Sequence, residues 1–489
     1  MEKKDVFTKD PVITGSKECV NPHFGLYFVL KGLYNKGIDV VLNKYFEERI
    51  LKYQRRLLLK KRFFDRKIKS GDDCKYRRIE FGPRPKQSFY SYSEILFSYF
   101  IGLFCGTEYF HALNPLRWHF NLVNTRKKKT DNDFTFHNFS SGDRPLDLIK
   151  AASVKNEKFL GADKNVVHYF NDNPLNDLLP ELSQLTNAYE FYKTGFGNVL
   201  DYDCTIITCA KDDSKPTYKT REDGLLGYQP GVGSINFIPT YIIGRNGNSS
   251  AKTRIHATVK DMLKHCSDHK IKIDWFRSDS AADTLKTVTE LESHHGLSYV
   301  IRPFKKSNEF LRKLRFTHFT WKEIYLKDPA VDNTLYYVTD FYHSIYDKYY
   351  VRIIAYTHTK PVEGEELKDM MFLMTDKKHS VTNVDLINFY NSRGNDSENL
   401  IKWLKIDCKW DVLPCSKMEF NTTYMIISAI GFILFEYIKH LYARDDSNSF
   451  YPKCRMSKFT ADFINVTGKY NNGNPIILNK IKGRQYLAA

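Results

Sequence analysis

The feature that most constrains the fold is an alternation of β-rich and helical patterns over residues 198–301. The run NVLDYDCTIITC, which begins at Asn198, alternates apolar and polar residues as a half-buried strand does, and this places Asp201 and Asp203 on one strand face. Further elements follow in the order strand (234–243), helix (252–265) and strand–helix–strand unit (271–301). Strands that alternate with helices at this spacing predict an α/β fold.

The flanking regions have other patterns. Residues 1–190 read as mainly helical, with YSEILFSYFIGLF from Tyr92 to Phe104 as a buried helix that Ser91 and Ser93 can cap. Residues 303–380 are β-rich with few helix signals. Helical patterns return at 384–405 and 421–442. The sequence therefore predicts several domains, as the length of 489 residues also does.

Charge points to a polyanionic partner. Lys and Arg outnumber Asp and Glu by 74 to 57, which gives a formal net charge of +17. The run from Lys52 to Arg78 mixes cations with aromatic residues, and residues 126–129 form a second basic cluster. Such segments can follow a phosphate backbone, but a solvated helix face has the same composition. Nucleic acid is the first candidate partner, and particular residues must decide whether it is the partner.

Cysteines and apolar runs bear on the cell compartment. The nine cysteines form no C-x-x-C pair, so neither a disulfide framework nor a cysteine zinc site is expected. The N-terminus lacks a signal-peptide pattern, and the longest apolar stretch, Met425 to Phe435, is shorter than the roughly 20 residues that cross a bilayer. We expect a soluble cytoplasmic protein with no membrane partner.

Three carboxylates stand at positions suited to metal binding. Asp203 lies within a strand, where an acid is costly to bury without a partner such as a metal ion. Asp279 follows the carboxyl end of the strand at 271–277, where α/β sheets place their ligands. Glu398 begins a helix and shares one face with Lys402 and Lys405. Each acid alone is more often a surface residue, but together they suit magnesium or manganese.

The residues around these acids resemble the DDE transposases of bacterial insertion sequences that carry a Tyr-Arg-Glu-Lys signature. Asp203-Cys204-Thr205 is similar to the first motif, and Arg277-Ser278-Asp279 to the second. The third signature resembles Tyr390, Arg393, Glu398 and Lys405, although five positions separate Arg393 from Glu398, one more than usual. Glycine-rich and downstream elements also match: Gly224 to Tyr228, Gly231 to Gly233, Leu413-Pro414-Cys415 and Phe420-Asn421.

The resemblance implies the fold class and the chemistry. It implies a ribonuclease H-like catalytic core interrupted by a β-rich insertion, with a mainly helical N-terminal DNA-binding region. Asp203, Asp279 and Glu398 would be the catalytic residues and would hold two Mg²⁺ ions, which Mn²⁺ can replace. Tyr390, Arg393 and Lys405 would contact DNA phosphates, with helix-surface packing as the alternative. Trp321 would stack on a flipped base or belong to the core of the insertion.

The implied organisation covers the whole chain. The expected regions are the DNA-end-binding region (1–190), the first part of the core (191–302), the β-rich insertion (303–380), the second part of the core (381–445) and the tail (446–489). The partners would be double-stranded DNA, as terminal inverted repeats and target, and a second copy of the chain. The setting would be the bacterial cytoplasm, on the nucleoid when DNA is bound. A nuclease without joining activity, an inactive transposase-derived DNA-binding protein and a basic structural protein remain as alternatives.

Overall fold

The computed structural model describes part of the chain. The residues described are 23, 25–49, 90–107, 110–114, 116, 139–217, 225–303, 319–326, 334–345, 349–362, 370–376, 380–442, 454–465, 468–471 and 474–477. The basic runs at 52–78 and 126–129 lie outside them, so their predicted role stays a prediction. The chain forms two compact units, unit 1 (1–155 and 404–489) and unit 2 (156–403).

The described helices and strands are numbered in chain order. The helices are α1 (Gly25–Asn35), α2 (38–49), α3 (Tyr92–Phe104), α4 (Asp143–Ala152), α5 (Leu178–Thr186), α6 (Ile255–Asp268), α7 (Leu285–Glu292), α8 (Asn383–Asn391), α9 (Asn399–Ile406), α10 (Met418–Tyr442) and α11 (Met456–Phe459). The strands are β1 (Glu157–Leu160), β2 (Val167–Asp172), β3 (Val199–Cys204), β4 (Ile207–Thr208), β5 (Lys215–Pro216), β6 (Leu226–Tyr228), β7 (Gly231–Ile235), β8 (Ile238–Arg245), β9 (Trp275–Ser278), β10 (Ser298–Ile301), β11 (Lys322–Leu326), β12 (Thr334–Ile345), β13 (Tyr349–Thr357), β14 (Met371–Thr375), β15 (Gly468–Asn471) and β16 (Asn474–Ile477).

Unit 2 is built on one large mixed sheet, so the predicted α/β class is confirmed. Eleven of its described strands lie in the order β1-β2-β8-β7-β3-β9-β10-β14-β13-β12-β11. The parallel pairs are β3 with β9 and β9 with β10, and α7 connects β9 to β10 as the strand–helix–strand pattern predicts. Strands β11 to β14, from the region expected as an insertion, continue this sheet through the antiparallel pairing of β10 with β14.

The single β-rich run predicted at 234–243 is a hairpin instead. Strands β7 and β8 pair across a turn at Asn236 and Phe237, both of which have positive φ, 49° and 72°. Asn adopts this conformation readily, but an aromatic residue does so rarely, so the pattern gave no turn signal at Phe237. The Phe237 ring packs edge-on against Tyr192 and Trp403, which holds it in place.

Unit 1 is helical around α10. This helix has 25 residues, nearly all of them buried, and α1, α3 and α4 pack against it. Its polar groups are paired inside the core: Glu436 and Lys439, both fully buried, form an ion pair at 2.8 Å. Among the described residues α10 is the one helix long and apolar enough to cross a membrane, but 83% of its most apolar window is buried in the protein. It is the core helix of this unit.

Local signals explain the start of α3. Ser91 accepts a hydrogen bond from the Glu94 amide at 3.2 Å, and Glu94 accepts one from the Ser91 amide, which completes a capping box. Ser93 does not cap the helix. It pairs with Asn43 of α2 through its hydroxyl and its amide, so it joins two helices of unit 1.

Candidate active site

Adjacent strands place Asp203 and Asp279 side by side. Strands β3 and β9 are parallel, with Tyr202 opposite Ser278, so the next residue of each chain segment is one of these two acids. Asp279 leaves the sheet as the cap of a short helical turn, where its Oδ1 accepts the Ala281 amide at 2.9 Å. The strand register thus brings together two acids that are far apart in sequence.

Glu398 reaches the same place from a helix. It is exposed and ends a π-helical segment, Gly394–Glu398, between α8 and α9. A π-turn holds one residue more per hydrogen-bonded ring than an α-turn. The five positions that separate Arg393 from Glu398 therefore fit within one helical stretch, without a loop. Glu398, at the end of this π-turn, interacts electrostatically with Asp203.

Electrostatics show that the three carboxylates are neighbours. Burial raises the pKa of Asp203 above its ordinary value, and the nearby charges of Asp279 and Glu398 raise it further, whereas Arg393 lowers it. Nη2 of Arg393 lies 2.7 Å from Oδ2 of Asp203, and the Arg393 side chain is only 9% exposed. The site therefore concentrates negative charge around a half-buried acid, with one guanidinium as partial compensation.

Asp279 and Glu398 both interact electrostatically with Asp203, but the three acids do not close around one point. Among the described residues, one group of three side chains offers one donor atom from each residue with all three atoms within 4.8 Å of one another, and that group lies elsewhere. Oxygen donors with excess negative charge fit a hard divalent cation.

A buried network fixes the elements that carry the acids. Arg277 of β9 donates from Nε to Asp201 Oδ1 at 2.7 Å and from Nη2 to Asp201 Oδ2 at 2.8 Å. The same guanidinium donates to Asp396 Oδ2 at 2.7 Å and to Ser392 Oγ at 2.7 Å, and it also bonds the Phe389 carbonyl. These contacts tie two strands to the helix that leads to Glu398. Asp201, which the sequence pattern places on the same strand face as Asp203, therefore uses both of its carboxylate oxygens to bind Arg277.

Tyr390 lies at the end of α8 among charged groups. Burial raises the pKa of its hydroxyl, Asp279 raises it further, and Arg393 and Arg302 lower it. Arg302, an exposed residue directly after β10, was not singled out from the sequence. Its position at the carboxyl end of a strand beside β9 was the signal that could have revealed it.

Two predicted DNA contacts lie outside this cluster. Lys405 belongs to unit 1, where its Nζ is 3.8 Å from Oδ1 of Asp411. Trp321 is half-buried directly before β11, the strand at one edge of the sheet of unit 2. Their predicted roles stay predictions.

Two glycines of β7 leave room for side chains that pack against the strand. A Cβ on Gly231 would stand 2.2 Å from the Tyr202 hydroxyl, and one on Gly233 would stand 2.6 Å from Met262 Sδ. Tyr202 and Met262 are fully buried beside the strand that carries Asp203. These glycines let side chains of β3 and α6 approach the backbone of β7 closely.

Comparison with known proteins gives the family of the chain. Residues 198–453 match the family described as "Transposase DDE domain group 1", which spans more than half of the chain and all three acids. The protein belongs to this family of DDE transposases, which typically use a divalent metal ion.

Comparisons with solved structures and with curated proteins add less than the family match does. A solved structure, the "Cryo-EM structure of piggyBac transposase synaptic complex with hairpin DNA", matches with 11% sequence identity and a TM-score of 0.38, over 91% of this chain and 79% of that chain. No curated protein matches the chain. The family assignment therefore rests on the domain match.

Proposed function

We propose that this protein is a DNA transposase that binds the ends of its mobile element, cuts the DNA strand and joins the freed end to target DNA. The observation that carries the proposal is the convergence of Asp203, Asp279 and Glu398 from two parallel strands and a helix. This is the arrangement that metal-dependent phosphodiester cleavage requires: several carboxylates held near each other on rigid elements.

We assign the five central strands to a ribonuclease H-like core. In chain order these strands are β3, β7, β8, β9 and β10, and they lie side by side as 3-2-1-4-5. Only the second of them, β7, runs antiparallel to the other four. The core thus puts the first and fourth strands, which lead to Asp203 and Asp279, next to each other at its centre.

Two divalent ions, Mg²⁺ with Mn²⁺ as a substitute, fit the donor set. Asp203 would be the shared ligand, with Asp279 and Glu398 each completing one ion. When bound, such ions activate a water or a 3′-hydroxyl and stabilise the leaving oxygen at phosphorus. The protein supplies the carboxylates, and the Arg277 network keeps β3, β9 and the π-turn in register.

The cations and the phenol of the site would hold DNA. Arg393 balances the charge of Asp203 here and presents a planar donor group of the kind that binds phosphate. The Tyr390 hydroxyl, whose pKa is raised by burial, can donate a hydrogen bond to a phosphate oxygen. Lys405 would contact a DNA phosphate, and Trp321 would stack on an unpaired base.

The third motif favours the insertion-sequence branch. Tyr390, Arg393, Glu398 and Lys405 have the order of the Tyr-Arg-Glu-Lys signature, and the π-turn accounts for the additional residue. On this basis we propose double-stranded DNA as partner, in the form of terminal inverted repeats and target, and a homodimer that pairs two ends.

The test is cleavage and strand transfer on labelled element-end DNA with Mg²⁺. We expect Asp203→Asn, Asp279→Asn and Glu398→Gln each to reduce cleavage by at least about 1,000-fold while DNA binding persists, because each removes a metal ligand. Glu190→Gln is the matched control, since this exposed acid of unit 2 pairs only with Lys193 on the surface. Equal cleavage by all variants would refute the site.

The same assay separates the alternatives. Cleavage without joining would identify a nuclease, and binding without cleavage by the natural protein would identify an inactive transposase-derived DNA-binding protein.

A further inference from the structure

A second group of metal-type side chains lies at the meeting of two helix ends in unit 2. His265 is in the last turn of α6 and His269 follows that helix as its cap, with the His269 amide bonded to the His265 carbonyl at 3.2 Å. Residues four apart in a helical turn present their side chains to the same side. Asp177 stands directly before α5, and its side chain makes no cap hydrogen bond to that helix. None of these residues belongs to the acid cluster.

The spacing of the three side chains is that of metal ligands. Oδ1 of Asp177 lies 3.6 Å from Nδ1 of His265 and 3.5 Å from Nε2 of His269. Hydrogen bonds between such groups are shorter, about 2.7 to 3.2 Å. Two donors bound to tetrahedral zinc at about 2.0 to 2.1 Å stand roughly 3.3 to 3.5 Å apart. One carboxylate oxygen is therefore about one tetrahedral edge from each imidazole nitrogen.

The three side chains differ in their access to solvent. The His265 side chain is 10% exposed, so it forms the sheltered side of the group. Asp177 and His269 are more open, 46% and 21% exposed, so solvent can reach a fourth coordination position.

We propose that Asp177, His265 and His269 form a zinc site that links the beginning of α5 to the end of α6. Two imidazole nitrogens and one carboxylate oxygen favour zinc, whereas the all-oxygen acid cluster favours magnesium. The site has three protein ligands and an open position for water. Its role is to join two helices of unit 2, and it does not depend on the chemistry proposed at the acids.

The same unit contains a matched control. His256 and His294 both approach Glu290, but Nε2 of His256 lies 3.5 Å from Oε2 and Nε2 of His294 lies 3.4 Å from Oε1. No single oxygen is shared, and these donors do not meet the common 4.8 Å limit that the Asp177 group satisfies. Substitution of His294 therefore removes an equivalent surface imidazole without touching the proposed site.

The experiment is calorimetric titration of Zn²⁺ into the full-length protein carrying Asp203→Asn and Glu398→Gln, so that the acid cluster is weakened. We expect one high-affinity Zn²⁺ per chain, at least about 100-fold weaker affinity in His269→Gln and Asp177→Asn, and unchanged affinity in His294→Gln. Co²⁺ should give the intense visible absorption of tetrahedral coordination in the parent and the control alone.

Thermal unfolding gives an independent readout. Zn²⁺ should raise the melting temperature of the parent and of His294→Gln, but not that of His269→Gln, because only a folded protein with the intact site binds it. Absence of zinc binding in the parent would overturn the proposal, as would equal binding by His269→Gln and His294→Gln. Neither assay involves DNA, so failure here leaves the transposase proposal untouched, and loss of cleavage leaves this one untouched.

Discussion

Arg277 holds Asp201 by two parallel hydrogen bonds, 2.7 and 2.8 Å long, in the centre of the sheet. Both side chains are at most 2% exposed. The pair stands directly opposite across β9 and β3, two residues before each strand yields an acid of the candidate site. The contact therefore sets the register of the two strands where function depends on it.

Removal of Arg277 should destabilise the fold. We expect Arg277→Met to lower the free energy of unfolding by about 3 to 5 kcal/mol, because it leaves Asp201 buried without a counter-charge. Denaturant-induced unfolding of unit 2 measures this change in the free energy of unfolding. Arg277→Met combined with Asp201→Leu should cost less than the sum of the single changes, since no lone charge remains. Full additivity in the double-mutant cycle would contradict a direct coupling.

Asp203→Asn should stabilise the protein when metal is absent. The folded-state pKa of Asp203 is raised, so ionisation of this acid disfavours the fold, and stability is lost as pH rises through that pKa. The side-chain amide of the variant does not ionise, so this loss of stability does not occur. The melting temperature of Asp203→Asn in EDTA at neutral pH should therefore exceed that of the natural protein by about a few degrees. Added Mg²⁺ should raise the melting temperature of the natural protein more than that of the variant.

A melting temperature for Asp203→Asn below that of the natural protein in EDTA would contradict the view that ionised Asp203 destabilises the fold. Glu190→Gln, a change at an exposed acid, should show no such gain.

The π-turn predicts opposite effects of deletion and insertion. Deletion of Ser397 restores the usual spacing of Arg393 and Glu398 and leaves Asp396 three residues after Arg393, so cleavage should remain within about tenfold of the natural rate. An alanine inserted after Ser397 turns Glu398 away from Asp203 and should abolish cleavage. The measurement is cleavage of end DNA by both variants. If the two variants cleave equally, the turn does not position Glu398.

Arg302 should contribute to DNA binding although no motif contains it. It is exposed beside the acid cluster and lowers the pKa of Tyr390 and of Tyr356. Arg302→Ala should weaken DNA binding and reduce the slope of log K against log salt by about 1, because one phosphate contact is lost. Lys158→Ala, at an exposed position of the edge strand β1, is the matched control and should leave the slope unchanged.

The sequence by itself determined the local elements and the identity of the acids. Alternation in NVLDYDC predicted the strand of Asp203, and the capping box at Ser91 predicted where α3 begins, because both depend on residues near in sequence. The resemblance of the surrounding motifs to DDE transposases singled out Asp203, Asp279 and Glu398, which interact electrostatically in the structure. Their catalytic role remains the proposal that the cleavage assay tests.

Only the tertiary structure decided the contacts between distant segments. The bonds of Arg277 to Asp201 and Asp396 join positions 76 and 119 residues apart, and nothing near any one of them reveals its partners. The same holds for Asp177 with His265 and His269, and for the strands at 322–375, which could have formed a sheet of their own. Strand pairing and buried charge pairs depend on which surfaces meet in the folded chain, and local pattern carries no record of that.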